Sequence, residues 1–136
     1  MDVEKGFEEL EHTADWALRI WAPDMTALLV QAAEGMNYLA EIKLARKRAN
    51  LCDLSIDATD REMLLVNFLN EILYCGEVEH VGFDHFELQL DGLNLTATLF
   101  GAKIVSQKKE IKAVTYHNLA VQETERGLEV EIVFDV

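Results

Sequence analysis

The sequence predicts an α+β fold, two helices packed on a mostly antiparallel sheet, and three observations carry that prediction. Apolar residues recur at helical spacing twice, from Met25 to Ala40 and from Leu64 to Leu73. After the second stripe the period changes to two: Phe86, Leu88 and Leu90 alternate with polar residues, as do Leu93, Leu95, Ala97 and Leu99. Between those runs stands Asp91-Gly92, a pair that favours a tight hairpin. The expected order is strand, helix, strand, helix, then mostly antiparallel strands.

Taken in order, Trp16, Leu18 and Ile20 alternate with Ala17, Arg19 and Trp21, which reads as a strand stopped by Pro23-Asp24. Asp24 is placed to cap the helix that follows. Met25, Leu28, Leu29, Ala32, Ala33, Met36, Leu39 and Ala40 form its apolar stripe. A short strand is expected around Cys52, Leu54 and Ile56, ending at Asp57-Ala58. Thr59-Asp60-Arg61-Glu62 has the form of a capping box, Thr59 accepting from the helix amides and Glu62 reaching back. The helix it opens carries Leu64, Leu65, Phe68, Leu69, Ile72 and Leu73 on one face and is expected to end near Cys75-Gly76. Further strands are expected over Ile111–Tyr116, Leu119–Gln122 and Leu128–Phe134, the last two joined by a turn near Arg126-Gly127.

One proline, no low-complexity stretch and no shift of composition over 136 residues predict a single domain spanning 1–136. A chain of this length hides roughly two thirds of its unfolded surface, so a core is available without staples. No apolar run approaches the ~20 residues of a membrane helix, and Met1-Asp2-Val3-Glu4-Lys5 does not resemble a signal peptide, so a cytoplasmic location and no membrane partner are expected. Cys52 and Cys75 lie far apart without a CxxC pairing, which supports neither a zinc ribbon nor a disulfide framework.

Twelve Lys and Arg against 25 Asp and Glu give a net charge of -13. Stable, direct nucleic-acid binding needs a basic face and is not expected. The cations gather in Lys43, Arg46, Lys47 and Arg48 and in Lys103, Lys108, Lys109 and Lys112, clusters that read as solvated surface. An acidic chain suits a basic protein partner or a cation. The sequence contains no GxGxxG, GxxxxGK[ST], HExxH or GxSxG motif, and no RNA-recognition motif.

Three places could carry chemistry. In Glu11-His12-Thr13-Ala14-Asp15, a polar knot between apolar strands, His12 and Asp15 could ligate a metal or act as an acid–base pair. The competing reading is a turn capped by Asp15, with His12 only hydrogen-bonded. Lys112-Ala113-Val114-Thr115-Tyr116-His117 ends a strand in polar residues, the competing reading being an ordinary edge strand. Phe134-Asp135-Val136 sets a side-chain carboxylate beside a main-chain one, hard oxygens that suit Ca²⁺ or Mg²⁺ better than zinc. There the competing reading is a frayed tail.

Several segments resemble the archease family. Phe7 to Arg19 reads FEELEHTADWALR, with the hallmark H-T-A-D after a short strand. Ala32 to Leu39 reads AAEGMNYL, Glu62 to Tyr74 reads EMLLVNFLNEILY, Ile111 to Val121 reads IKAVTYHNLAV, and Asp135-Val136 is the acidic-plus-aliphatic ending. The resemblance implies a duplicated strand–helix–strand–strand (SHS2-like) domain without an active site of its own. It implies a role in tRNA processing: activation of the GTP-dependent RtcB-type RNA ligase, promoting guanylylation and multiple turnover in tRNA splicing and RNA repair. It also implies a divalent metal, calcium first with magnesium or manganese as alternatives, held by Asp15, Asp135 and Val136. Glu11, His12 and His117 are then candidates for the surrounding shell. Two other functions stay open: a chaperone-like modulator of a tRNA cytosine methyltransferase, and a metal-dependent hydrolase using His12, Asp15 and Asp135.

Overall fold

The computed structural model describes residues 4–10, 16–116 and 118–136. Two antiparallel sheets and two helices form in the order β1 (Gly6–Leu10), β2 (Trp16–Ala22), α1 (Met25–Ala40), β3 (Lys43–Leu44), β4 (Ala49–Asp57), α2 (Arg61–Glu79), β5 (Val81–Asp91), β6 (Asn94–Ser106), β7 (Ala113–Val114), β8 (Gln122–Thr124) and β9 (Gly127–Asp135).

The helices follow the apolar stripes. Asp24 caps α1, its Oδ1 accepting from the Ala27 amide at 2.8 Å. α1 buries Leu28, Leu29, Ala32, Ala33, Met36, Leu39 and Ala40, and it ends at Glu41 in the left-handed conformation. Two expectations for α2 are corrected. Its cap is Asp60, whose Oδ1 accepts from the Met63 amide at 2.7 Å, in place of a Thr59/Glu62 box. It also runs past Gly76 to Glu79 and closes on His80, which takes the left-handed conformation and donates its amide to the Gly76 carbonyl.

The expected antiparallel pairing is present, divided between two sheets. In the first, β2 pairs with β1 on one side and β9 on the other, in register from Trp16 opposite Phe134 to Ala22 opposite Leu128. The free side of β9 takes β8 near Gly127 and β7 near Phe134. In the second, β6 is central, flanked by β4 and β5 over the same stretch, while β3 pairs with its far end. β2, β9 and β6 are each paired on both sides, and among the described residues no strand of one sheet pairs with a strand of the other. The β5–β6 hairpin turns through Gly92, at φ 61°. Further along, the chains crowd at Gly101: a Cβ there would overlap the Gly82 carbonyl, beside the register shifts of both flanking strands.

One continuous core joins the sheets. α1 packs on β1, β2, β5 and β9; α2 packs on β4, β5 and β7; and the helices touch each other. Leu18, Ile20, Leu64, Phe68, Leu95, Ile132 and Phe134 share that core and are fully buried or nearly so. The strand expected at Ile111–Tyr116 shortens to β7, and the one expected at Leu119–Gln122 is displaced to β8, sharing only Gln122 with it.

Candidate functional site

The sequence points to the rim where β2 begins and β9 ends. Trp16 opens β2 opposite Phe134, and Asp135 follows Phe134 as the last residue of β9. Asp15 precedes Trp16 in the chain and, with Glu11, His12 and His117, lies outside the described residues. Of the expected metal ligands, the structure therefore describes Asp135 and Val136.

Both are attached to the fold, contrary to the frayed-tail reading. The Lys112 amide donates to the Asp135 carbonyl at 2.8 Å, and β7 pairs Ala113 with Asp135 and Val114 with Phe134. The Asp135 side chain is exposed, while Val136 is half-buried against the core. Strand pairing thus fixes the Asp135 backbone and leaves its carboxylate free to meet a ligand.

The rim is held from behind by side chains that sequence reasoning missed. Asn70 of α2 clamps the buried Val114: its Oδ1 accepts from the Val114 amide at 2.9 Å, and its Nδ2 donates to the Val114 carbonyl at 3.4 Å. The Thr115 amide and hydroxyl both donate to the Val133 carbonyl. Glu62, expected to serve its own helix, accepts from the Val121 amide at 2.7 Å and so fixes the segment that leads into β8. The signal for Asn70 was an amide set among the apolar residues of α2; nothing local named its partner. Lys109 Nζ lies 3.8 Å from the centroid of the Trp16 ring, a cation–π contact at the same rim.

The two cationic clusters, separate in sequence, meet in the fold. β3 pairs Lys43 with Ser106, the Ala45 amide donates to the Lys103 carbonyl, and the Lys108 and Lys109 amides donate to the Ala40 carbonyl. Arg48 pairs with Asp84 at 2.8 Å and Lys108 with Glu41 at 3.6 Å. Among the described residues, Lys43, Arg46, Lys47, Lys103 and Lys112 take part in no ion pair. Beside this surface, a cleft of about 870 Å³ opens between the ends of α1 and α2, lined by Met36, Asn37, Ile72, Gly76, His80 and Lys112 among others. Its wall is braced by Asn37, whose Nδ2 donates to the Phe83 carbonyl at 2.6 Å.

A metal would meet hard oxygen donors at this rim. Asp135 offers carboxylate oxygens, which suit calcium or magnesium better than zinc. Among the described residues, no group of three or more His, Cys, Asp or Glu is arranged to hold a metal ion. The described donors fit part of such a site.

The model of the archease protein family matches residues 7–136 of this chain. The chain belongs to the archease family. The archease of Methanothermobacter thermautotrophicus is 28% identical over 143 residues, covering 97% of this chain and 99% of that protein. The archease of Methanopyrus kandleri is 30% identical over 138 residues, covering 96% and 99%. The fold resembles the crystal structure of a Thermotoga maritima archease, with a TM-score of 0.70 at 23% identity over 95% of this chain and 96% of that one. It also resembles the solution structure of protein 1598 of Methanobacterium thermoautotrophicum, with a TM-score of 0.69 at 22% identity over 96% and 99%. These two likenesses establish the α+β archease fold. No helix among the described residues is long and apolar enough to cross a membrane.

Proposed function

We propose that this chain is a protein-binding activator of an RtcB-type, GTP-dependent RNA ligase, working in tRNA splicing and RNA repair without chemistry of its own. The observation that carries the reading is the archease family match from residue 7 to residue 136, which takes in both ends of the candidate rim. In this reading the ligase performs guanylylation and strand joining, and the archease binds it and speeds the guanylylation step. The net charge of -13 supports a basic docking face on the partner and an association rate that falls as salt rises.

In the same proposal Asp15, Asp135 and Val136 hold a divalent cation, calcium in the first instance, with Glu11, His12 and His117 around it. When bound, the cation neutralises carboxylates that would otherwise repel one another. The chain's own residues supply the frame: Lys112 and β7 hold the Asp135 backbone, and Asn70 holds β7.

Ligation by the cognate ligase tests the activator reading under single-turnover and multiple-turnover conditions, with and without this protein. Faster guanylylation and sustained turnover are expected; unchanged rates in both regimes reject the reading. A second reading draws on the Thermotoga maritima archease, described as a possible chaperone. It is a chaperone-like modulator of a tRNA cytosine methyltransferase, and it predicts suppressed aggregation of that enzyme with no effect on ligation.

A further inference from the structure

Cys52 and Cys75 lie apart in sequence and take no part in the rim. Leu51 bulges out of β4 between Asn50 and Cys52, so Cys52 resumes the pairing opposite Leu99, on the inward side with Leu54 and Ile56. Cys75 continues the stripe of α2 through Phe68 and Ile72, seven and three residues earlier. Packing α2 on β4 therefore brings both thiols to the same seam at the margin of the core. Both are half-buried and unbridged, and their sulfurs are 2.6 Å apart. A bond between them, at about 2.0 Å, needs only a small further approach.

We propose that Cys52 and Cys75 form a reversible modification site, an intramolecular disulfide made by exchange with a low-molecular-weight disulfide of the glutathione class. The Cys75 thiolate attacks one sulfur of the small disulfide. That S–S bond breaks, one small thiol leaves and takes up a proton, and a mixed disulfide remains on Cys75. Cys52 then loses its proton to water and attacks Cys75 Sγ; the mixed disulfide bond breaks, and the second small thiolate leaves and takes up a proton. Two protein thiols are oxidised to one disulfide, and one small disulfide is reduced to two thiols.

The order of attack follows from the surroundings. Burial pushes the Cys52 thiol up from 9.0 to about 12, helped by its hydrogen bond to Cys75 and by the negative charge of Cys75, Asp53 and Glu71. Capping Cys75 removes both Cys75 contributions, so Cys52 ionises more readily once it is needed. The bond would tie β4 to the last turns of α2 and fix Gly76, which follows Cys75 and lines the cleft between the helix ends.

The test uses the full chain, reduced, freed of reductant and then treated with oxidised glutathione. Free thiols counted after denaturation should fall from two to none, and the intact mass should drop by two hydrogens with no lasting adduct. The chain should remain a monomer on a non-reducing gel. The melting temperature should rise by about 10 °C and return with dithiothreitol, because a closed loop restrains the unfolded chain. Cys52→Ser, or Cys52→Ala if the serine variant folds poorly, should instead stop at a stable glutathione adduct on Cys75. Two thiols persisting in the wild-type chain, a lasting adduct on it, or cross-linking between chains would each overturn the proposal. None of these readouts depends on the ligase.

Discussion

The two sheets solve the same packing problem with strands of different length. The β4–β5–β6 sheet uses strands of 9 to 13 residues in long registers, each broken by one register shift, and is braced by α2. The β1–β2–β9 sheet has a regular centre, but its outer side is built from the two-residue β7 and three-residue β8. Such short strands gain little from their own ladder. Here they are held by Asn70 and Glu62, side chains of the helix that belongs to the other sheet. The long-stranded sheet thus acts as scaffold, and the short-stranded edge, which carries the candidate site, borrows its order from it. An edge held by a few side chains can present a free carboxylate such as Asp135 without giving up its backbone position.

Breaking the scaffold should have the largest effect. Phe68 is fully buried and packs edge-on to Phe86, with ring centroids 6.4 Å apart. Phe68→Ala should cost about 3–5 kcal/mol in chemical denaturation, through lost burial and the cavity left behind. Breaking the link between scaffold and edge comes next. Asn70→Ala leaves the buried Val114 amide without its partner and should cost about 2–3 kcal/mol. Amide exchange should quicken at Val114 and Lys112 and stay slow along β6; uniform quickening would mean that the edge does not depend on this link.

Changes confined to the edge should leave stability nearly intact and act on binding. Asp135→Asn keeps the β7–β9 pairing but removes a charged oxygen donor, so calcium affinity should fall roughly tenfold or more by titration calorimetry. A tag appended after Val136, which moves the main-chain carboxylate away, should have the same sign. Equal affinity in N-tagged and C-tagged protein would remove Val136 from the ligand set.

The smallest effect belongs to pH and reads the scaffold again. Cys52 in the folded, reduced chain holds its proton up to about 12, against 9.0 for a free thiol. The folded state therefore binds more protons between those values, and its stability contribution, complete below 9.0, is lost as pH rises towards 12. Denaturation of the reduced wild-type chain and of Cys52→Ser across that range should show the steeper decline in the wild type. Parallel curves would place Cys52 in a more open setting.

Local sequence determined a good deal here. The 3.6-residue stripes fixed α1 and most of α2, Asp24 marked the start of α1, and Asp91-Gly92 with its alternating flanks fixed the β5–β6 hairpin. These features depend on neighbours within a few residues, which periodicity and capping chemistry read directly. The HTAD segment and the other archease-like segments pointed to the family, and the match across residues 7–136 bears that out. What only the tertiary structure decided concerns partners distant in sequence. Glu62 turned from its own helix to the Val121 amide, Asn70 found Val114, and α2 passed Gly76 to close on His80. The two lysine- and arginine-rich segments became one surface, and two cysteines 23 residues apart came into contact. Periodicity tells which face of an element turns inward, but which residues meet there is set by how the elements pack, and that depends on the whole core at once.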